Sequence, residues 1–240
     1  MSSQPQPRFT KLSIVIPAFC EEKSIETLLS RVYRVETPIP KEVIVVDDAS
    51  TDETCRILKN LQQKYPDLKL AFHAANFGKG AALRTGFGMV TGDLVVIQDA
   101  DLEYNPADYG ILLKPILNGR ADVVYGSRFL GKGRRVRHFW HYVGNRMITL
   151  VSNMFSNLNL NDMETCYKAF DARILPQLHL KSNRFGFEPE FTVKIAKLKC
   201  RVHEVPISYD GRTYDEGKKI TWRDGVAAVW HLFRFRFLER

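Results

Sequence analysis

Five short apolar runs, LSIVIPAF, EVIVVDD, LKLAFHA, DLVVIQDAD and ADVVYGS, constrain this chain more than any other feature. They are rich in Val, Ile and Leu, and longer stretches with helical periodicity separate them: Glu21 to Val35, Asp52 to Lys64, Lys79 to Met89 and Pro106 to Asn118. Near-continuous apolar strands are covered on both faces, and strands alternating with helices pair largely in parallel. The pattern therefore predicts an α/β fold, a mostly parallel sheet with helices on both faces. Ser50 followed by Glu53 reads as a capping box at the second helix.

Polar clusters fall immediately after the strands: PAFCEE, DDASTD, NFGKG and DADLE. In open α/β sheets ligands bind outside the carboxyl ends of the strands, so these clusters converge on one cleft. The most acidic of them sets Asp99, Ala100, Asp101 and Glu103 at the end of an apolar strand. Unpaired carboxylates are costly where water is scarce, and a counter-cation is the usual remedy. Extended alternation would send residues 99, 101 and 103 in one direction, and three hard oxygen donors suit Mg²⁺ or Mn²⁺ together with phosphate oxygens. The competing reading is a solvated loop with Asp as a helix cap. A dinucleotide fingerprint is absent, because IPAFCEE holds no glycine after the first strand, and NFGKGAAL lacks the spacing of a Walker loop.

After residue 126 the pattern changes. Six Lys or Arg and no acid lie between Arg128 and Arg146, and apolar residues at helical spacing follow in MITLVSNMFSNLNL. TCYKAF, a helix near Glu188 to Leu198, RVHEVPISY, the loop DGRTYDEGKK and a helix ending VWHLFRFRFLER complete the chain. No proline- or glycine-rich linker divides the 240 residues, so a single domain, 1–240, is expected. The net charge of +8 points to an anionic partner. RRVRHFWHYVGNR and VWHLFRFRFLER have the Trp, Phe and Arg content of helices in a membrane interface, and equally that of core helices or an oligomer surface. None of the sequence-readable nucleic-acid modules is present. Four scattered cysteines without a CxxC pair indicate neither disulfides nor zinc and suit a reducing, cytoplasmic setting. No run reaches the roughly 20 apolar residues of a spanning helix, so membrane contact, if made, is expected to be peripheral, at the cytoplasmic face.

IPAFCEE, VVDDASTD, NFGKGAALRTGF, DADLEYNP and VYGSR, in this order, resemble the family-2 inverting glycosyltransferases of GT-A fold, and look most like the dolichol- or polyprenol-phosphate mannose and glucose synthases. The resemblance is strong over roughly residues 10 to 128 and moderate beyond. It implies a Rossmann-like nucleotide-diphospho-sugar transferase with a donor- and metal-binding half over 10–128 and an acceptor-side lobe over 129–240. It implies a hexose donor of GDP-mannose or UDP-glucose type and a polyprenyl phosphate acceptor. Pro17, Phe19 and Glu21 would border the nucleotide; Asp48, with Asp47 beside it, would accept from base or ribose. Cys20 stands where relatives commonly carry Asn, and Glu103 where they often carry Gln. Asp99, Asp101 and Glu103 would hold the Mg²⁺ or Mn²⁺, with Asp99, Ala100 and Asp101 meeting sugar and diphosphate.

Lys79 is the better phosphate ligand of the pair Lys79 and Arg84, and Arg128 in GSR matches a phosphate-binding arginine. Asp162 and Glu164 in NDMETCYK occupy the acceptor side, where a base is needed for a saccharide hydroxyl but not for an anionic lipid phosphate. Arg212, Lys218 and Lys219 resemble a mobile basic loop that closes over the diphosphate. The rival readings are transfer to a saccharide hydroxyl, a non-catalytic nucleotide-sugar-binding protein, and nucleotidyl transfer. A homo-oligomer is compatible with all of them.

Overall fold

The computed structural model describes residues 8–131, 139–184, 186–211 and 222–239. In chain order the elements are β1 (Leu12–Ala18), α1 (Ile25–Arg34), β2 (Lys41–Asp47), α2 (Thr54–Lys64), β3 (Lys69–Phe72), α3 (Lys79–Phe87) and β4 (Leu94–Ile97). They continue with α4 (Tyr109–Leu117), β5 (Val123–Ser127), α5 (Phe139–Ser156), β6 (Lys168–Asp171), α6 (Leu175–Leu178), α7 (Phe187–Lys197), β7 (Val202–Pro206) and α8 (Trp222–Phe233), which runs into a π-helical turn, Arg234–Leu238.

The strands form a 7-stranded sheet of order β3-β2-β1-β4-β6-β5-β7. All pairings are parallel except those of β6, which lies antiparallel between β4 and β5. All residues of β1, β4 and β5 are buried, as continuous apolar runs require. The α/β architecture with a mostly parallel sheet thus agrees with the sequence reading, and β6 supplies its one antiparallel member.

The capping box does not form. Ser50 Oγ is drawn back to Asp47 Oδ1 at 2.5 Å and accepts the Cys20 N–H at 2.9 Å, while α2 begins only at Thr54, whose N–H is taken by Asp52 Oδ1. A tertiary tie between the β1 and β2 ends has outcompeted the local cap. At the opposite end of the sheet buried Glu42 gathers Lys11, Lys69, Ser13 and Thr91, at 2.6 to 2.9 Å. These contacts outweigh its burial and hold the carboxyl well below its usual range, so charge at this end is closed off within the fold.

Candidate active site

The site lies at the carboxyl ends of β1, β2, β4 and β5. At the end of β1, Pro17 is buried in register with Val46 and therefore belongs to the sheet rather than to an open cleft wall. Phe19 is half-buried, and the Glu21 carboxylate accepts from Ser24 Oγ at 2.6 Å at the entry to α1. Cys20 has φ +54, a left-handed conformation. Asn adopts that region more readily than Cys, so the backbone here would accept Asn with less strain.

Asp47 and Asp48 both end β2 buried, and both are committed to the scaffold. Asp47 holds the Ser50 turn. Asp48, expected to accept from base or ribose, accepts the backbone N–H of Phe77 at 3.0 Å and of Gly78 at 2.6 Å and lies 2.6 Å from His73 Nδ1. It therefore fixes the loop that carries Lys79. Gly78 has φ +98, and a Cβ there would sit 2.5 Å from Asn183 O; one at Gly80 would sit 2.2 Å from Ser182 O. The glycines of NFGKG thus let the 182–183 strap lie directly on the start of α3. Arg84 serves the same strap, donating to Ser182 O and Asn183 Oδ1.

The carboxylates after β4 find part of their counter-charge within the chain. Lys79 Nζ lies 2.9 Å from Asp99 Oδ1 and 2.9 Å from Glu188 Oε1, a residue of α7. Burial works against the charge on Lys79 but the facing carboxylates outweigh it, so its pKa stands well above normal; Asp99 is correspondingly held low by Lys79 against its own burial. The remaining two carboxylates are arranged differently. Residues 100–103 bend rather than extend, and Asp101 Oδ1 accepts the Glu103 N–H at 3.2 Å. Glu103 accepts from Tyr209 Oη, and its carbonyl accepts the Asp210 N–H at 2.9 Å, tying the chain after β7 to this turn. The extended alternation expected for 99, 101 and 103 is thus broken, and Asp99 is paired with Lys79. Among the described residues no group of three or more His, Cys, Asp or Glu is assembled to hold a metal. Ala100 is buried beneath this turn.

At the end of β5, Arg128 meets Asp162 in a two-pronged pair: Nε to Oδ2 and Nη2 to Oδ1, both 2.7 Å, with the Arg128 backbone N–H adding a third bond at 3.0 Å. The Asp162 side chain is fully buried. The guanidinium lies 5.2 Å from the Tyr209 ring centroid. Asp162 itself is held in place by Glu204, which accepts its N–H and that of Asn161 at 2.9 Å.

Glu164 is in the opposite condition. Its Oε1 is buried with no hydrogen-bond partner, and burial, with Glu188 adding, pushes its pKa up to about 8. Lys168 and Arg128 pull it the other way, and Asp162 adds to the rise. A carboxyl whose folded pKa lies above its unfolded value supplies stability that is complete below about 4.5 and is lost as pH rises toward 8. Glu164→Gln, which cannot ionise, should therefore flatten the fall in melting temperature expected of the wild type between about pH 5 and 8, and should leave turnover near neutrality within a few-fold. An unchanged melting profile would refute the protonated state of Glu164, and loss of turnover would make it a base.

Of the expected residues, the structure gathers Lys79, Asp99, Asp101, Glu103, Arg128, Asp162 and Glu164 around the β4 and β5 ends. Asp47, Asp48 and Pro17 fall into the scaffold beneath. Arg212, Lys218 and Lys219 lie outside the described residues. Sequence reasoning missed Glu188 and Tyr209, which stand in no candidate motif, and passed over Cys166, whose thiol bonds Asp99, and Lys168, which faces Glu164, although both lie within NDMETCYK. A Glu at the start of a helix carries no signal beyond a dipole preference.

The family model for glycosyl transferase family 2 matches residues 13–178, well over half of the chain. A dolichol-phosphate mannosyltransferase of Pyrococcus furiosus is 29% identical over 214 residues, covering 87% of this chain and 59% of that protein, so the chain spans less than two-thirds of that relative. An undecaprenyl-phosphate mannosyltransferase of Micrococcus luteus is 31% identical over 244 residues, covering 92% of this chain and 97% of that protein. Glucosyl-3-phosphoglycerate synthase of Mycobacterium tuberculosis, solved with Mn²⁺, UDP and glucosyl-3-phosphoglycerate, superposes with a TM-score of 0.69 at 18% identity, over 95% of this chain and 80% of that one. That likeness bears on the fold, which is shared with a GT-A glycosyltransferase. The family match, the 31% identical relative and the shared fold agree, and the chain belongs to glycosyl transferase family 2 as a glycosyltransferase.

Proposed function

We propose that the chain transfers a hexose, mannose or glucose, from a GDP- or UDP-sugar to a polyprenyl phosphate with inversion at the anomeric carbon. The observation that carries this reading is the commitment of Asp162 to Arg128. Both of its oxygens are taken up by three hydrogen bonds from Arg128, so this carboxylate serves as the anchor of that arginine and not as a free base for an acceptor hydroxyl. A lipid phosphate oxygen is already anionic near neutrality and needs no such base. Arg128 is a bidentate phosphate donor in kind, and Asp162 fixes the plane of its fork. The names of the Pyrococcus and Micrococcus relatives point to the same acceptor class.

Mg²⁺ or Mn²⁺ fits the β4 end with two protein donors, Asp101 and Glu103, since Mg²⁺ is commonly held by one or two carboxylates plus substrate phosphate oxygens. When bound, the cation neutralises charge on the departing nucleoside diphosphate. Lys79, together with the Cys166 thiol, orients Asp99, which would meet the donor. Phe19, Glu21 and the segment Asp99-Ala100-Asp101 would line the donor, and Arg212 and Lys218 would close over its diphosphate.

The test compares acceptors in the Asp162→Asn variant by release of nucleoside diphosphate. With a prenyl phosphate, turnover should fall roughly 10- to 100-fold with a raised acceptor KM, because Arg128 loses half of its anchor. Wild-type turnover on a saccharide hydroxyl and none on prenyl phosphate, with the saccharide turnover abolished in the Asn variant, would move the reading to a base-dependent sugar acceptor. Release of pyrophosphate would mark a nucleotidyltransferase.

A further inference from the structure

Tyr209 stands where two charged ends of the site meet. β7 ends the sheet, and β5 and β6 separate it from β4, yet the segment after β7 spans that width: Tyr209 pairs with Tyr104 in an isolated antiparallel bridge, and the Asp210 N–H bonds Glu103 O at 2.9 Å. The crossing is pinned on the way, by the Ile207 N–H to Ser127 O at 3.2 Å and the Ser208 N–H to Asp108 Oδ2 at 2.7 Å. The Tyr209 ring is half-buried and lies 5.0 Å from that of buried Tyr104, edge-on at 68°. Gly211 leaves it room, since a Cβ there would come 2.7 Å from Tyr209 Cε1. A ring held by its own backbone, by a neighbouring ring and by a close glycine has little choice of another rotamer.

From this place one side chain serves two charges. Its Oη donates to Glu103 Oε2, a charge-assisted bond. Its ring centroid lies 5.2 Å from the Arg128 guanidinium, a cation–π distance, while Asp162 takes the Nε and Nη2 of the same guanidinium. Two residues therefore locate Arg128, one through hydrogen bonds and one through a ring. We propose that Tyr209 is a positioning residue with two separable duties: its hydroxyl aims Glu103 at the divalent cation, and its ring seats Arg128 for the acceptor phosphate. Both duties rest on the cation and phosphate roles given to Glu103 and Arg128 in the proposed function. Groups that hydrogen-bond a ligating carboxylate fix its direction, and their loss commonly weakens metal binding about 10- to 100-fold. The ring acts on a different group, so its contribution is read on a different constant.

The test compares the full-length wild type with Tyr209→Phe and Tyr209→Leu. Two constants are read: the Mn²⁺ concentration at half-saturation in a thermal-shift titration at fixed GDP or UDP, and the KM of a water-soluble short-chain prenyl phosphate at saturating Mn²⁺. Tyr209→Phe should raise the Mn²⁺ midpoint about ten-fold and keep the acceptor KM within about two-fold, because the ring remains. Tyr209→Leu should raise the Mn²⁺ midpoint as far and the acceptor KM about three- to ten-fold as well. The Phe variant keeps the packing, so its melting temperature without ligand should stay near wild type. An unchanged Mn²⁺ midpoint in the Phe variant, an acceptor KM that Phe raises as far as Leu, or a lowered melting temperature with neither constant moved would each overturn the proposal. The wild-type constants test the proposed function, and the variant ratios test Tyr209. A wild type active on prenyl phosphate with both ratios near one loses the Tyr209 assignment alone. A wild type that Mn²⁺ does not stabilise, or that leaves prenyl phosphate untouched, loses the underlying reading and this assignment with it.

Discussion

Asp101→Ala is expected to lower nucleoside diphosphate release on the order of 10³-fold while leaving the fold intact. The expectation follows from what the side chain does in the protein. Asp101 is half-buried in a bend, where its Oδ1 accepts the Glu103 N–H at 3.2 Å. Its proposed duty is large: with Glu103 it would hold the cation against charge that develops as the sugar leaves, and preorganised charge at a leaving group contributes several kcal/mol in mutational series. Turnover should be measured against Mn²⁺ and Mg²⁺ titrations, with the thermal shift given by each metal and donor read alongside. The variant should lose the metal-dependent part of the shift. Full activity that EDTA leaves untouched would remove Asp101, and the divalent ion with it, from the mechanism.

Lys79→Met should act on both stability and turnover. The lysine is the shared counter-charge of Asp99 and Glu188, at 2.9 Å from each, and the Glu188 side chain is only 5% exposed. Removing one partner of a buried ionic group typically costs about 3–5 kcal/mol, because the other charge is left uncompensated. Glu188 Oε2 is already buried without a partner, so the methionine variant leaves that carboxylate with no bond to a cation among the described residues. The unfolding free energy from a urea titration should fall by that amount, lowering the midpoint in proportion, and turnover should be lost as Asp99 loses its anchor. Glu188→Gln in the same background should recover part of the stability, since it removes one of the two stranded charges. A midpoint equal to wild type would show that Lys79 is dispensable to the fold.

Much of the fold was legible because the sheet is buried on both faces, which writes each strand as an unbroken apolar run. LSIVIPAF and EVIVVDD appear within a residue or two of β1 and β2. β6 was harder, since TCYKAF carries buried Lys168 and Cys166, and nothing in so short a run states whether it lies parallel or antiparallel. The site was legible at strand ends only. Asp99 and Arg128 could be located from the apolar runs before them, but their partners, Lys79 with Glu188 and Asp162, are set by tertiary packing. The same limit explains Asp47 and Asp48: a local reading sees two acids after a strand, and only the fold reveals that backbone and side-chain donors of neighbouring loops have claimed them.

The insertion of β6 between β4 and β5 bears on how the chain acquires its shape. β5 pairs with β6 and β7 alone, and both arrive late in the sequence. Until residues 168–171 have emerged and docked, β4 presents an unzipped margin and β5 has no neighbour to lie against. β3, β2, β1 and β4 can pair among themselves as they emerge, but completion of the sheet waits on contacts of long sequence separation, the slow class in folding.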